Sequence, residues 1–269
     1  MPYTVGRGAG RTKMWTAVLA VAAAISGMGV PSAGADEATA KRLFKGMSDY
    51  LAAQQAFSLD YDSNLEIVTT KKQKIGLASS GTLTLKRPDN VRATRTGGFA
   101  DVELVFDGKT VTLIGKNANL YAQVDAPGDI DHLVDELREK YHRPVPAADL
   151  LMSDPDTQLM PLVVDAKDLG SGVIRGIECD HLAFRTKEVD WQIWIAQGDH
   201  PYPCRYVITS TNVAGAPQYT IDVRNWKVGT EVASASFSPD IPSGAKKLNP
   251  SEIPDFDEVP AIFTAKGGR

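Results

Sequence analysis

Apolar residues recur along the chain with two different spacings, and the change of spacing separates helix from strand. Between residues 36 and 55, Leu43, Met47 and Leu51 repeat near the spacing of helix turns, which predicts a helix. From Phe57 almost every second residue is apolar, as is typical of a strand with one apolar and one polar face. A helix therefore precedes a series of strands.

Turn residues separate the strands that follow the first one. Asp107 and Gly108 form a hairpin signal, and the segment 117–119 forms a second one because Asn favours tight turns. Consecutive strands should therefore pair as neighbours in a meander. The predicted strands of this first series are 57–67, 73–86, 90–96, 100–106, 110–115 and 119–124.

The strand pattern is interrupted after Ala126. From Asp129, a suitable helix N-cap, apolar residues return at helical spacing until Pro144 ends the helix. Short helical turns are predicted at 147–152 and around 156–160. Strands then resume at 163–168, 173–187, 189–197, 203–212 and 217–228.

This order of elements predicts an α+β protein built on a single antiparallel sheet rather than on alternating β-α-β units. A sheet of about eleven strands with one apolar face tends to curl into a half-open β-barrel. The N-terminal helix 36–55 and the helical insert 129–162 are available to cover that face. We therefore expect a single domain over 36–269, with a helical lid at about 129–162 and an extended C-terminal tail from about 236.

The first 35 residues have the pattern of an export signal. Three basic residues precede an apolar run over 14–25, and Ala33-Gly34-Ala35 suits a signal peptidase. An uncleaved membrane anchor is the alternative, but two glycines break the run before the ~20 residues that a spanning helix needs. We predict a signal peptide over 1–35, cleaved after Ala35, and a protein that is soluble in the periplasm.

The charge balance argues against nucleic acid as a partner. The chain has 29 basic and 33 acidic residues and a net charge of −4; removal of residues 1–35 leaves 26 basic against 33 acidic residues, a net charge of −7. Phosphate binding needs a concentrated basic surface, and the mature chain has no basic run longer than the pair Lys71-Lys72.

The sequence contains no recognisable catalytic motif. Phosphate-binding glycine loops, HExxH, GxSxG and paired CxxC motifs are absent, and the four histidines lack metal-ligand spacing. We therefore expect no cofactor, no metal ion and no enzymatic activity. His181 shares a predicted strand face with Cys179, but a histidine of this kind is more often structural.

Two cysteines, Cys179 and Cys204, lie in the exported part of the chain. An even number of cysteines in an oxidising compartment is compatible with one disulfide. The alternative is two separate thiols, because cysteine is also a small buried hydrophobe. The sequence leaves both interpretations open.

Large apolar residues are abundant on one face of the predicted sheet and on its helical covers. They are candidates for a hydrophobic ligand cavity, and the alternative is an ordinary filled core. The candidate cavity residues are Phe57, Leu59, Tyr61, Leu65, Leu83, Leu85, Leu104, Phe106, Leu133, Leu137, Leu150, Leu151, Phe184, Trp191 and Ile193.

Several segments together resemble an uncharacterised family of predicted periplasmic bacterial proteins over about residues 40–230. The segments that carry the resemblance are 106–113, 119–122, 126–131, 146–151, 176–185 and 189–195. That family is similar to the outer-membrane lipoprotein carriers (LolA/LolB-like), whose half-open β-barrel is closed by helices around a cavity for acyl chains. Cys204 departs from the family pattern, which argues against a disulfide common to the whole family.

The resemblance implies a periplasmic protein that binds or carries a lipid or the acyl chain of a lipoprotein. The expected partners are a lipid or acylated protein and an envelope membrane protein. The alternative is a ligand-responsive sensor or interaction module in envelope stress signalling, because the same barrel can serve as a regulator. No functional residue of the carriers is transferred, since only the architecture matches.

Overall fold

The fold is described from a computed structural model that covers residues 33–98, 101–139 and 147–249. Helix α1 (Ala33–Ala53) begins three residues before the predicted start at residue 36. The predicted export signal lies, up to residue 32, outside the described residues. Among the helices of the described part, none combines the length and the apolar composition needed to cross a membrane.

Twelve strands form one sheet in which sequence neighbours pair in antiparallel hairpins on both sides of a central junction between β1 and β11. The strand order is β12-β6-β5-β4-β3-β2-β1-β11-β10-β9-β8-β7. The first six strands are β1 (Ala56–Val68), β2 (Lys74–Lys86), β3 (Asn90–Gly97), β4 (Asp101–Phe106), β5 (Thr110–Gly115) and β6 (Leu120–Asp125). The others are β7 (Asp165–Ile174), β8 (Ile177–Arg185), β9 (Val189–Ala196), β10 (Pro203–Ser210), β11 (Gln218–Val228) and β12 (Lys246–Lys247).

The sheet is curved and does not close on itself, so the predicted α+β class and the half-open antiparallel sheet are confirmed. Helix α2 (Ile130–Glu139) and α3 (Pro155–Leu159) occupy the predicted insert, together with 3-10 turns at Ala148–Leu151 and Met160–Leu162. A last short helix, α4 (Thr230–Ala233), follows β11.

The predicted strands 163–168 and 173–187 are wrong in their boundaries. The chain turns at Arg175 and Gly176, which both have positive φ (52° and 83°), as a two-residue hairpin loop requires. The glycine-containing segment before it, which falls between the two predicted strands, is a bulge in β7 between Asp168 and Ser171. The predicted strand 173–187 thus contains three elements: the end of β7, the turn, and β8.

The twelfth strand is absent from the predicted set of about eleven. β12 pairs in parallel with β6, with Lys246 opposite Leu120. Upstream of it, the tail crosses the outer face of the sheet, where Arg92 donates to the carbonyl of Ser236 at 3.2 Å. A two-residue strand has no hydrophobic period, so the sequence pattern contains no signal for it.

Candidate functional site

Strand alternation gathers large apolar side chains on the inner face of the sheet, the face that α1 and α2 cover. Phe57 pairs with Leu85, Leu85 with Val91, and Val91 with Phe106. None of these four residues is more than 4% exposed. The row that they form across four strands is called the floor below.

The cover over the floor, called the lid below, consists of α2 and residues 147–162. Its apolar side chains pack with those of the floor and of β1 to β5 in one group, called the lid cluster. The buried members of the lid cluster are Phe57, Leu59, Leu83, Leu85, Val91, Phe106, Val111, Ala126, Ile130, Leu133, Val134, Ala148 and Met152.

A second group, called the α1 cluster, lies between α1 and strands β7 to β10. Its buried members are Ala40, Phe44, Met47, Leu51, Leu150, Ala166, Leu182, Phe184, Trp191, Ile193, Ile195 and Tyr206. The ring of Phe44 lies 5.6 Å from that of Phe184 and 5.3 Å from that of Trp191, and the Phe184 and Trp191 rings stack at 4.1 Å. These aromatic contacts attach α1 to the sheet and have the packing of an ordinary hydrophobic core.

The structure divides the predicted cavity residues between these two clusters. The lid cluster and the partly buried residues packed against it include Phe57, Leu59, Tyr61, Leu83, Leu85, Leu104, Phe106, Leu133, Leu137 and Leu151. The α1 cluster includes Leu150, Phe184, Trp191 and Ile193. Leu65 lies in neither cluster but shares the inner face, opposite Leu77 and Tyr219.

Trp226 of β11 lies at the boundary of the two clusters and was not singled out in the sequence analysis. Its ring stacks on Phe57 at 4.7 Å and on Tyr202 at 5.2 Å, and its Nε1 donates to the Tyr50 hydroxyl at 3.3 Å. A bulge next to it, with Asn225 at φ 50°, breaks the alternation of β11. Strand alternation therefore does not predict on which face of the sheet this tryptophan lies.

The inner face becomes more exposed with distance from the floor. Leu59 and Leu83 are 9% and 8% exposed, whereas Leu104 in the same row is only half-buried. In the next row the ring of Tyr61 lies across Gly81, where an added Cβ would come within 2.6 Å of the ring. Glycine at this position lets the Tyr61 hydroxyl reach the carbonyl of Thr94 at 2.9 Å.

Arg87, directly after β2, connects the sheet to the lid. Its Nη1 donates to the carbonyl of Leu151 and its Nη2 to that of Met152, both at 3.1 Å. Burial lowers the pKa of Arg87, but an arginine remains charged in proteins. Arg87 falls between the predicted strands 73–86 and 90–96, and its role is not visible in the sequence, because a hydrogen bond to distant carbonyls leaves no pattern there.

Polar contacts also hold the lid together and attach it to α1. Asp131 of α2 accepts hydrogen bonds from the amide and the hydroxyl of Ser153, so the two halves of the lid are joined. The hydroxyl of Ser48 in α1 accepts a hydrogen bond from the amide of Asp156 at 3.0 Å. The lid is therefore attached through a small set of polar contacts in addition to its apolar side.

Cys179 and Cys204 are buried in a separate small cluster with Ile174 and Ala196. They are free thiols whose side chains interact with each other. Burial is the main cause that raises the pKa of both thiols, so the reactive thiolate is disfavoured. The two interpretations, a disulfide between them or two separate thiols, both stay predictions.

His181 and Trp194 lie on the outer face of the sheet. Their rings stack at 3.9 Å, and Nε2 of His181 lies 3.0 Å from Oε1 of Gln192. His181 is thus held by neighbours on the sheet surface. Within the described ranges, no three His, Cys, Asp or Glu residues are arranged to hold a metal ion.

An open cavity of about 340 Å³ lies where β3 ends beside β1 and β2. Its lining is mostly polar, so it differs in character from the floor. The lining residues are Asp62, Ser63, Ala78, Ser79, Ser80 and Thr96.

Solved structures that resemble this chain include two mycobacterial proteins and a member of the LolA superfamily. LprF from Mycobacterium bovis is 13% identical, with a TM-score of 0.48 over 77% of this chain and 99% of LprF. Lipoprotein LppX from Mycobacterium tuberculosis is 12% identical, with a TM-score of 0.46 over 73% of this chain and 99% of LppX. The LolA superfamily protein from Nitrosomonas europaea is 9% identical, with a TM-score of 0.36 over 75% of this chain and 98% of that protein.

No curated protein matches the sequence. A family described as "Predicted periplasmic protein (DUF2092)" does match, over residues 40–249, which is most of the chain. This description confirms the periplasmic location expected from the N-terminal sequence and the resemblance to an uncharacterised periplasmic family. The chain belongs to the DUF2092 family of predicted periplasmic proteins.

Proposed function

We propose that this protein binds a lipid, or the acyl chain of a lipoprotein, between the floor and the lid. The observation that carries the proposal is the graded inner face: the buried apolar floor is followed on the same face by half-buried apolar residues such as Leu104 and, farther out, Leu65. An acyl chain needs such a surface and no catalytic group, so the proposed role is binding and not catalysis.

Displacement of the lid is the step that would admit the chain. Short helices and 3-10 turns open at low cost, and Met152 adapts its shape to a new neighbour. Removal of the lid from the floor would uncover apolar residues that an acyl chain can cover in its place. The ligand then replaces the apolar contacts of the lid, which limits the cost of opening.

Hydrophobic contact alone is sufficient for binding. A sixteen-carbon chain gains on the order of 12 kcal/mol at about 0.8 kcal/mol per buried methylene, before the costs of opening the lid and ordering the chain. This gain in free energy does not require a charged group in the floor. A site of this kind would accommodate acyl chains from different lipids.

The α1 cluster is not part of the proposed site. Ile193 is fully buried there and Trp191 is 2% exposed, and both are packed in the group that holds α1 to the sheet. We therefore restrict the site to the ten predicted residues of the lid cluster and its neighbours, with Leu65 at their open side. The alternative role as a stress sensor stays a prediction.

The first test is mass spectrometry of lipids extracted from the protein purified from the periplasm, with titration of the delipidated protein by a fluorescent fatty acid. We expect co-purifying lipid and saturable binding of the probe. Leu104→Glu should abolish binding yet leave the fold intact, because a half-buried carboxylate at an opened site stays hydrated.

The matched control is Leu169→Glu. Leu169 is 48% exposed on edge strand β7, so the same change there adds the same charge far from the floor. This control should bind the probe like the wild type. Wild-type protein without probe binding, or equal loss of binding in both variants, would contradict the proposal.

A further inference from the structure

The β1–β2 hairpin extends beyond both of its neighbours in the sheet. Each of its strands has 13 residues, whereas β11 pairs with β1 only as far as Leu65 and β3 pairs with β2 only from Ser79 onward. The segments 66–68 and 74–78 therefore project past the sheet. They form the open end of the inner face, on the side away from the floor.

The inner side of the projecting hairpin is apolar. Leu65 pairs with Leu77 and Ile67 pairs with Ile75, and all four are half-buried. Strand alternation places them on the same face as Phe57 of the floor. Apolar residues thus lie at both ends of this face, called the apolar track, and the buried hydroxyls of Ser63 and Ser79 lie between them.

The tip of this hairpin is basic. Lys71, Lys72 and Lys74 are exposed, and within the segment 66–74 the one acidic residue is Glu66, which pairs with Lys74 at 3.1 Å. Three cations against one anion give the tip a charge of +2, in a chain whose net charge is −4. The tip therefore has the opposite sign to the protein as a whole.

The β10–β11 turn packs beside this tip and adds an apolar residue. Gly215 lies against Val68, where an added Cβ would come within 3.1 Å of Cγ2, and the amide of Gln218 donates to Glu66 at 3.0 Å. The turn itself, residues 211–217, has no charged side chain, and Val213 in it is 49% exposed. The two turns form one surface, called the tip surface below: Val68, Lys71, Lys72, Lys74 and Val213.

We propose that the tip surface docks on an anionic phospholipid bilayer. Lysines beside an exposed aliphatic residue match such a bilayer, because the cations attract lipid phosphates while the apolar side chain enters the interface. The inference rests on the proposed function, since docking here places the open end of the apolar track against the membrane. A lipid would then pass along the hairpin without crossing water.

The test is flotation of the full-length exported protein with vesicles. Vesicles of phosphatidylglycerol and phosphatidylcholine should bind the wild type, vesicles of phosphatidylcholine alone should bind it weakly, and about 0.5 M salt should release it. Lys71→Gln with Lys72→Gln should weaken binding about thirtyfold, since each lysine near an anionic surface contributes about 1 kcal/mol. Val213→Asp should weaken it further.

The matched control is Lys41→Gln with Lys45→Gln, which removes the same charge from the exposed side of α1. It should bind vesicles like the wild type. Equal loss in the control and in the tip variant, or no binding of the wild type to anionic vesicles, would overturn the inference.

Titration of the same variants with a fluorescent fatty acid, in the absence of vesicles, separates this inference from the proposed function. The tip variants should bind the probe like the wild type, because the tip surface is far from the floor. Loss of vesicle binding with probe binding intact supports docking at the tip. Probe binding that fails in the wild type refutes the proposed function independently of the vesicle result.

Discussion

Arg87 joins the sheet to the lid with two hydrogen bonds from a charged donor, each to a carbonyl of the lid. A hydrogen bond from a charged group contributes about 1.5–3 kcal/mol, roughly twice a neutral one. If the lid opens as proposed, Arg87 favours its closed form. Its side chain is the part of the site at which a single substitution changes closure and leaves the apolar floor intact.

We expect Arg87→Gln to release a bound fluorescent fatty acid about tenfold faster than the wild type and to lower the free energy of unfolding by about 2 kcal/mol. Stopped-flow displacement of the probe and urea denaturation measure the two effects. The control is Arg185→Gln, which removes an exposed pair with Asp190 on the far side of the sheet. Identical release rates for Arg87→Gln and the wild type would show that Arg87 does not control the lid.

Asp154 is the N-cap of α3 in the lid. It accepts hydrogen bonds from the hydroxyl of Thr157 at 2.6 Å and from its amide at 3.1 Å. The Thr157 hydroxyl is the largest cause that holds the pKa of Asp154 below its usual range. Because the folded-state pKa is the lower one, the stabilisation is present above the unfolded pKa of about 4 and is lost as the pH falls through the folded value.

We expect Asp154→Ala to lower the free energy of unfolding by about 1 kcal/mol at neutral pH, the usual cost of a lost N-cap. The difference from the wild type should shrink as the pH falls below about 4. Urea denaturation over this pH range measures it. Asp156→Asn is the control, and it should raise the free energy of unfolding at neutral pH. Burial raises the pKa of Asp156, so the charge of this residue opposes folding above that pKa. A pH-independent difference for Asp154→Ala would contradict this assignment.

Elements with a strong period were predictable, and their exact ends were not. The alternation of β1 and the helical spacing of α1 and α2 predict elements that the structure contains. The β7–β8 turn at Arg175 and Gly176 was missed because the glycines before it give the same turn signal. A bulge and a turn both use glycine, and only strand pairing distinguishes them.

The side of the sheet on which the candidate residues lie was predictable, whereas their division between the lid cluster and the α1 cluster was not. Period-two alternation places Leu59, Leu104 and Ile193 on one side of the sheet, and the structure agrees. The separation of the lid cluster from the α1 cluster depends on which cover packs over which strands. Trp226 at the boundary lies in a bulge, and Arg87 acts on residues more than sixty positions away.

At the scale of the whole molecule, the acyl chain is proposed to lie against the floor and away from the outer face. Two tryptophans report on these two locations. Trp226 stacks on Phe57 of the floor, and Trp194 stacks on His181 of the outer face. A brominated fatty acid quenches a tryptophan that its chain contacts, so the pattern of quenching locates the chain.

The most direct measurement of the central claim is titration of the delipidated exported protein with brominated palmitic acid, compared among the wild type, Trp226→Phe and Trp194→Phe. We expect saturable quenching in the wild type, the same quenched signal in Trp194→Phe, and loss of most of that signal in Trp226→Phe. Quenching that persists in Trp226→Phe but disappears in Trp194→Phe, or no saturable quenching in the wild type, would contradict binding of the chain against the floor.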